Sequence, residues 1–410
     1  MSIEITFIRH GQTTGNAAGR WQGHTNSSLT DLGRDQAAKL GARLADTKFD
    51  LVVSSDLDRT METAAALGRP IEADERWREP FFGTWEDLTT AEIMAQDAEQ
   101  VTALFNGEDI APGGGERLSE VAQRTRAALD DLVGRVGSGS VAVVSHGMSL
   151  LMLIASLLET KRPLPLRLLG NSAIATVAMN ADGYSVGSYN DDAHLGHTVP
   201  PHFGASPDDT EMLLIRHGRT LANEEGRWQG HTDGELNPTG RAQAAALAEY
   251  LPQVDALYSS PLSRAADTAQ AVANQQRTEV LFVEDLKEIG FGAWEGMSRG
   301  EIAATYPEEF AAFNNGGADA VRGGTGETFA GVRRRVAEAL NRIVADHPGQ
   351  EVGVVSHGGA TRAYVTEVLG IPYENRQRLG LLRNTGFARM AYTGRGPTLV
   401  SWNLAPHLEG

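Results

Sequence analysis

The chain repeats itself at a spacing of about 200 residues, and that repeat constrains its folding more than any other feature. Gly19-Arg20-Trp21-Gln22-Gly23-His24-Thr25 returns unchanged as Gly226-Arg227-Trp228-Gln229-Gly230-His231-Thr232, 207 residues later. Ile8-Arg9-His10-Gly11 matches Ile215-Arg216-His217-Gly218, and Asn16 matches Asn223, at the same distance. Further along, Arg59 aligns with Arg264, Glu79 with Glu288, Trp85 with Trp294, and Ser145-His146-Gly147 with Ser356-His357-Gly358. The offset drifts only between 205 and 211, so insertions are small. A period this long makes each copy a whole domain and not a turn of a solenoid. The 410 residues are therefore read as domains 1–189 and 210–404. The linker, 190–209, is rich in Pro, Gly, His and Asp and has no apolar periodicity.

Within each copy, strand-like and helix-like stretches alternate. Ile3–Ile8, Leu51–Ser54 and Val141–Ser145 are short runs rich in β-branched residues with polar residues after them, and Met212–Ile215, Ala256–Ser259 and Val352–Ser356 are the matching apolar runs of the second copy. Leu32–Ala45 and Thr239–Leu251 carry apolar residues at helical spacing among good helix formers. This alternation predicts an α/β fold: two tandem three-layer α/β/α sandwiches with mostly parallel central sheets. Reactive side chains then belong in loops just past the carboxyl ends of strands, where His10, His146, His217 and His357 stand.

Composition narrows the chemistry. The chain has no cysteine, which removes disulfides, cysteine-ligated metals and thiolate nucleophiles. Its net charge of −17 argues against nucleic acid and against anionic membranes as partners. Met1 leads straight into Ile3–Ile8 with no basic segment or signal-peptide core, so a cytoplasmic location is expected.

Six of the eleven histidines occupy repeat-equivalent positions, His10/His217, His24/His231 and His146/His357. Two copies of Arg-His-Gly, each followed by Asn six residues after the histidine and by a distant Ser-His-Gly, form a specific pattern. The pattern resembles the histidine phosphatase superfamily, also called phosphoglycerate mutase-like. The likeness extends through Ser54-Ser55-Asp56-Leu57-Asp58-Arg59 and Ser259-Ser260-Pro261-Leu262-Ser263-Arg264. It continues in Arg78-Glu79 with Gly83-Thr84-Trp85-Glu86, and in Lys287-Glu288 with Gly292-Ala293-Trp294-Glu295-Gly296.

The resemblance implies a role for each matching residue. His10 and His217 would be the nucleophiles that become phosphohistidine. Arg9, Arg59 and His146, with Arg216, Arg264 and His357, would clamp the phosphoryl oxygens, for which the planar arginine fork is suited. Asn16, Gln22, Asn223 and Gln229 would add polar contacts to the phosphate. Glu79 and Glu288 would protonate the leaving oxygen and then activate water. No metal and no cofactor is implied, because the clamp itself neutralises the developing charge. The first copy departs from the pattern in Pro80, which follows Glu79, and in Trp85-Glu86-Asp87, which lacks the usual glycine.

Other features have plainer readings. Trp85 and Trp294 are read as packing residues. Arg20, His24, Arg227 and His231 lie in the identical loop and are candidates for the substrate mouth. His194, His197 and His202 are read as a solvated linker cluster and not a metal site, since no cysteine accompanies them. Asp56-Leu57-Asp58-Arg59-Thr60 imitates the aspartyl-phosphate signature of magnesium-dependent phosphatases, but its repeat partner Pro261-Leu262-Ser263-Arg264-Ala265 has neither aspartate.

Mutases of the resembled superfamily carry a longer insert between the general acid and the second histidine. Here the intervals are 67 residues (79 to 146) and 69 residues (288 to 357), which resembles the phosphatase branch. The expected activity is metal-independent hydrolysis of small phosphorylated metabolites; Val53–Leu57 and Gly170-Asn171-Ser172 of the first copy are similar to glucosyl-3-phosphoglycerate phosphatases, and alpha-ribazole and sugar-phosphate phosphatases share the same motifs. Two alternatives stay open: a phosphoglycerate mutase, or one domain acting as a non-hydrolysing phospho-ligand or regulatory module. Duplication would also supply an intramolecular version of the pairing that single-domain relatives form as dimers.

Overall fold

The apolar runs read as strands are strands in the computed structural model, which describes residues 2–160, 165–181, 183–196, 206, 208–314 and 316–409. The chain divides into two compact units, residues 1–201 and 202–410. The first unit contains β1 (Ile3–Arg9), β2 (Leu51–Ser54), β3 (Ile71–Ala73), β4 (Gly139–Ser145), β5 (Ile174–Asn180) and β6 (Gly183–Asp191). Their order is β3-β2-β4-β1-β5-β6. The second unit repeats this with β7 (Thr210–Arg216), β8 (Ala256–Ser259), β9 (Val280–Phe282), β10 (Glu351–Ser356), β11 (Phe387–Thr393) and β12 (Gly396–Leu404), ordered β9-β8-β10-β7-β11-β12.

Four strands of each unit run parallel, and an antiparallel hairpin, β5–β6 or β11–β12, is added beside the first strand. Ile8, Val52, Ala142, Val144 and Ile174 form one face of the first sheet and bury Leu40 and Ala64 from helices Asp31–Arg43 and Asp58–Ala65. Helices Leu118–Val136 and Gly147–Leu158 pack on each other, and the second also packs on β1, where Phe7 meets Trp77. The inner strands β2 and β4 thus bury both faces, as a sheet covered by helices on two sides requires, while the edge strand β3 stays largely exposed.

The hairpin was not legible as strands, and its end falls in the segment read as linker. β6 runs through Asn190 and Asp191, and both are buried with Asp192. These polar residues sit inside because they are paired: Asn190 Oδ1 accepts from Gly170 N, and Asp191 takes a two-pronged bond from Arg43 at 2.8 and 2.9 Å. Residues 197–205 and 207 of that segment, including His197 and His202, lie outside the described residues. Among the described residues no helix is long and apolar enough to cross a membrane.

Candidate active site

Strand register is what brings the distant histidines together. β1 and β4 are parallel neighbours with Arg9 opposite Ser145, so the residues that follow, His10 and His146, leave the sheet side by side. His10 N donates to Ser145 O at 3.0 Å, and the two rings stand 5.2 Å apart. In the second unit Arg216 is opposite Ser356, His217 N donates to Ser356 O, and the rings of His217 and His357 are 5.1 Å apart. β2 and β8 end on the other flank and deliver Ser55 and Ser260 to the same place.

Local bonds fix the protons. Nδ1 of His10 lies 2.7 Å from the carbonyl of Gly11, and Nδ1 of His217 lies 2.7 Å from that of Gly218. A carbonyl only accepts, so Nδ1 carries the hydrogen and Nε2 keeps its lone pair. Burial, with Arg59 and Arg9 nearby, pushes the His10 pKa well below the ordinary histidine value. Burial with Arg216 and Arg264 does the same to His217. Both rings are neutral at physiological pH, the state a nitrogen nucleophile needs.

His146 and His357 are fully buried, and each places Nε2 on the hydroxyl of Ser55 or Ser260, at 2.9 and 2.8 Å. Nδ1 of His146 accepts from Arg59 Nε at 3.3 Å, whereas Nδ1 of His357 and Nε of Arg264 have no partner. A neutral His146 ring therefore has no spare N–H, and it donates to a phosphate oxygen only once Nδ1 gains a proton.

The arginines are anchored and still hold donors in reserve. Arg9 and Arg216 each spend one terminal nitrogen on a backbone carbonyl, Leu169 or Leu382, while Nε stays buried with no acceptor. Gly147 and Gly358 allow this placement, since a Cβ there would stand 3.2 and 3.3 Å from those Nε atoms. Arg59 and Arg264 reach across to the repeated loop: Arg59 donates to Thr25 O and Gly23 O, Arg264 to Thr232 O and Gly230 O. Burial lowers the Arg59 pKa to about 10, so it remains charged.

Glu79 and Glu288 are carried by short turns after β3 and β9, but the helix after the second histidine holds their carboxylates. Glu79 accepts from Met148 N and Ser149 N at 3.1 and 3.2 Å. Glu288 accepts from Gly359 N and Ala360 N at 3.0 and 2.8 Å, and from its neighbour Ile289 N. Free N–H groups of a helix's first turn suit a carboxylate. Behind each glutamate an arginine fixes the backbone: Arg124 and Arg335 donate to carbonyls around Arg78 and Lys287 while paired with Glu116 and Glu327.

Asn16 and Asn223 have a structural duty as well. Each closes a capping box with Thr13 or Thr220 at the start of a short helix. Each Oδ1 also accepts from an asparagine absent from the sequence-derived site, Asn171 or Asn384, at 3.1 Å. The same amides donate to the carbonyls of His10 and His217, also at 3.1 Å. The residues that follow, Ser172 and Thr385, are left-handed with φ of 60° and 55°, and their N–H groups bond to Arg9 O and Arg216 O. The repeated Asn-Ser/Thr pair was the available signal. Gln22 and Gln229 accept at Oε1 from Thr13 and Thr220, which leaves their amide nitrogens as donors.

Trp85 and Trp294 are buried and edge-packed on Trp21 and Trp228 of the identical loop, at 5.7 and 5.8 Å between centroids. His24 and His231 turn Nε2 to the backbone carbonyls of Glu79 and Glu288. Arg20 and Arg227 bind the carbonyls of Asp87 and Gly296. Asp87 takes the left-handed conformation, φ 62°, that Gly296 takes in the other copy, which explains the missing glycine. In the aspartate pair of the imitation motif, Asp56 is bound twice by Arg78, and Asp58 pairs with Asn26. Among the described residues no group of three or more acids and histidines could hold a metal ion.

The profile of the histidine phosphatase superfamily, branch 1, matches residues 5–192 and 212–405. The chain belongs to the histidine phosphatase superfamily. It is a phosphatase built as two tandem superfamily units. A metal-independent phosphoserine phosphatase of Arabidopsis thaliana is 42% identical over 204 residues, covering 49% of this chain and 84% of its own. Phosphoglycerate mutase-like protein 4 of the same plant is 39% identical over 206 residues, 49% of this chain and 88% of its own. A glucosyl-3-phosphoglycerate phosphatase of Mycolicibacterium vanbaalenii is 38% identical over 165 residues, 38% of this chain and 73% of its own.

Proposed function

We propose that both units are metal-independent phosphomonoesterases that act on small phosphorylated metabolites through a phosphohistidine. The observation that carries this reading is the fixed tautomer of His10 and His217: Nδ1 is spent on a backbone carbonyl, and Nε2 is left unprotonated beside two arginines. Nε2 attacks phosphorus as the ester P–O bond breaks, and Glu79 or Glu288 gives a proton to the leaving oxygen. The arginines with His146 or His357 take up the charge spread over the equatorial oxygens. Water then attacks the phosphohistidine, the glutamate accepts its proton, and inorganic phosphate leaves with Nε2 restored.

Phosphoserine, phosphoglycerate and glucosyl-phosphoglycerate esters belong to the substrate class, a choice supported by the names of the relatives. The reading also includes a cytoplasmic location, two domains joined by a linker that starts after the end of β6, and an intramolecular pairing of the units. The test is turnover of 4-nitrophenyl phosphate in excess EDTA by the wild type, His10→Ala, His217→Ala and the double variant. Each single variant is expected to keep part of the activity and the double variant none. Full loss in EDTA, or wild-type turnover by the double variant, would overturn the proposal.

A further inference from the structure

The helix that follows the second histidine differs between the copies at many positions, and one of them changes the charge next to the site. At Gly147 and Gly358 a Cβ would stand 3.2 and 3.3 Å from Nε of Arg9 and Arg216, so this helix face looks onto those guanidinium groups. The residue four places on shares their helix face, and its side chain leans back toward the helix N-terminus. In the first unit this residue is Leu151, which is buried. In the second unit it is Arg362, at the same offset of 211 residues that relates His146 to His357.

Arg362 is a cation without an anion. Its Nε is buried with no acceptor, and no carboxylate forms an ion pair with it among the described residues. The charges that face it are Arg376, Arg322 and Arg216, with Glu288 the one acid among them. Glu288 is already engaged by the three backbone N–H groups of Ile289, Gly359 and Ala360. Arg322 is paired with Asp319 and bonded to Glu327 O, and Arg376 to Tyr373 O and Phe313 O, so these two are held by the fold. Burial, reinforced by these cations, lowers the Arg362 pKa to about 10, which leaves it charged at neutral pH. Placing such a group beside three other arginines is costly unless an anion arrives to offset it.

We propose that the second unit takes a phosphomonoester bearing a second anionic group, a carboxylate or another phosphate, which the Arg362 guanidinium binds. The first unit, with Leu151 in that place, has no cation there to bind such a group. The two copies would then be two specificities on one chain and not two doses of one activity. This rests on the reading of His217 as the nucleophile.

The test uses the full chain carrying His10→Ala, so that turnover reports the second unit. Three probes are compared: phenyl phosphate, phosphoglycolate for the carboxylate, and ethylene glycol bisphosphate for the second phosphate. Arg362→Leu should lower kcat/KM for one or both doubly anionic probes by roughly ten- to a hundredfold relative to phenyl phosphate, mainly through KM. The probe that falls names the anion, and Arg362→Lys should restore part of the loss. The converse change, Leu151→Arg in a His217→Ala chain, should raise the preference of the first unit for the same probe. An equal change of KM for all three probes, or none, would overturn the proposal. If the His10→Ala parent turns over no probe, the hydrolase reading of the second unit fails. Equilibrium binding of phosphoglycolate against phenyl phosphate then decides the role of Arg362 on its own: selective loss in Arg362→Leu supports it, and equal loss overturns it.

Discussion

Arg59 donates its Nε–H to Nδ1 of His146 across 3.3 Å. The ring therefore accepts on one side while Nε2 donates to Ser55 on the other, and it is held neutral in a buried site. An arriving phosphate dianion changes that balance, because it favours a second proton on the ring. Phosphate binding near pH 7 is expected to take up protons, measurable as a dependence of the binding enthalpy on the ionisation enthalpy of the buffer. His146→Asn with His357→Asn should abolish that dependence.

The same histidines set the acid limb of stability. Burial lowers the pKa of His10, His146, His217 and His357 well below the unfolded value, and neighbouring arginines add to it. Below about pH 6.5 the unfolded chain binds protons that the folded chain refuses, so stability is present above that pH and is lost as pH falls. Tm should drop by several degrees between pH 7.5 and pH 5 in the absence of phosphate, and inorganic phosphate should reduce the drop. A Tm that rises on acidification would contradict the assignment of neutral rings.

Removing the acid tests the glutamates. With the other unit silenced, Glu79→Gln or Glu288→Gln should lower kcat for an alkyl phosphate by about 10²–10⁴. The loss should be smaller for the formation of phosphohistidine from 4-nitrophenyl phosphate, whose leaving group needs no proton. Equal losses in that step for both esters would remove the general-acid role.

Gly23 joins two requirements. Its φ is 53°, and a Cβ there would fall 1.9 Å from the Glu86 carboxylate that braces the repeated loop through His24 N. Gly230 stands in the same relation to Glu295. Either glycine changed to alanine should cost at least about 1–2 kcal/mol from the left-handed backbone alone. In a unit of this size that is a Tm loss of roughly 2–8 °C. KM should rise as well, since Arg59 is tied to the Gly23 carbonyl. An unchanged melting curve would contradict the close approach.

Asp87 and Gly296 give a reciprocal check, because both are left-handed and only one is glycine. Asp87→Gly should change stability by less than about 1 kcal/mol, since aspartate tolerates this region. Gly296→Asp should be equally mild, whereas Gly296→Val should be markedly destabilising. Thermal melts of the three variants read this directly.

Much of this arrangement was legible because the two copies annotate one another. Parallel strands such as Ile3–Arg9 and Gly139–Ser145 announce themselves as apolar runs rich in β-branched residues, and His10 and His146 stand at their ends. The antiparallel hairpin was hidden because polar residues interrupt its apolar pattern: Val177 and Val186 are buried in it, but Thr176 and Ser188 bond across it, and Asp191 is buried by its pair with Arg43. Asn171 and Asn384 were missed for a related reason. They act on the backbone of the histidine and on another asparagine, contacts that no local pattern encodes. That the helix N-terminus holds Glu79 follows from tertiary packing across about 70 residues and from no local spacing.

The central claim is that phosphorus passes through His10 and His217. The direct measurement is peptide mapping of the wild-type chain quenched in base during turnover of a ³²P-labelled aryl phosphate, conditions that preserve phosphohistidine. Label is expected on two peptides, one containing His10 and one containing His217, with each lost in the matching alanine variant. Label on the Asp56–Thr60 peptide, or no protein-bound label during active turnover, would contradict the account.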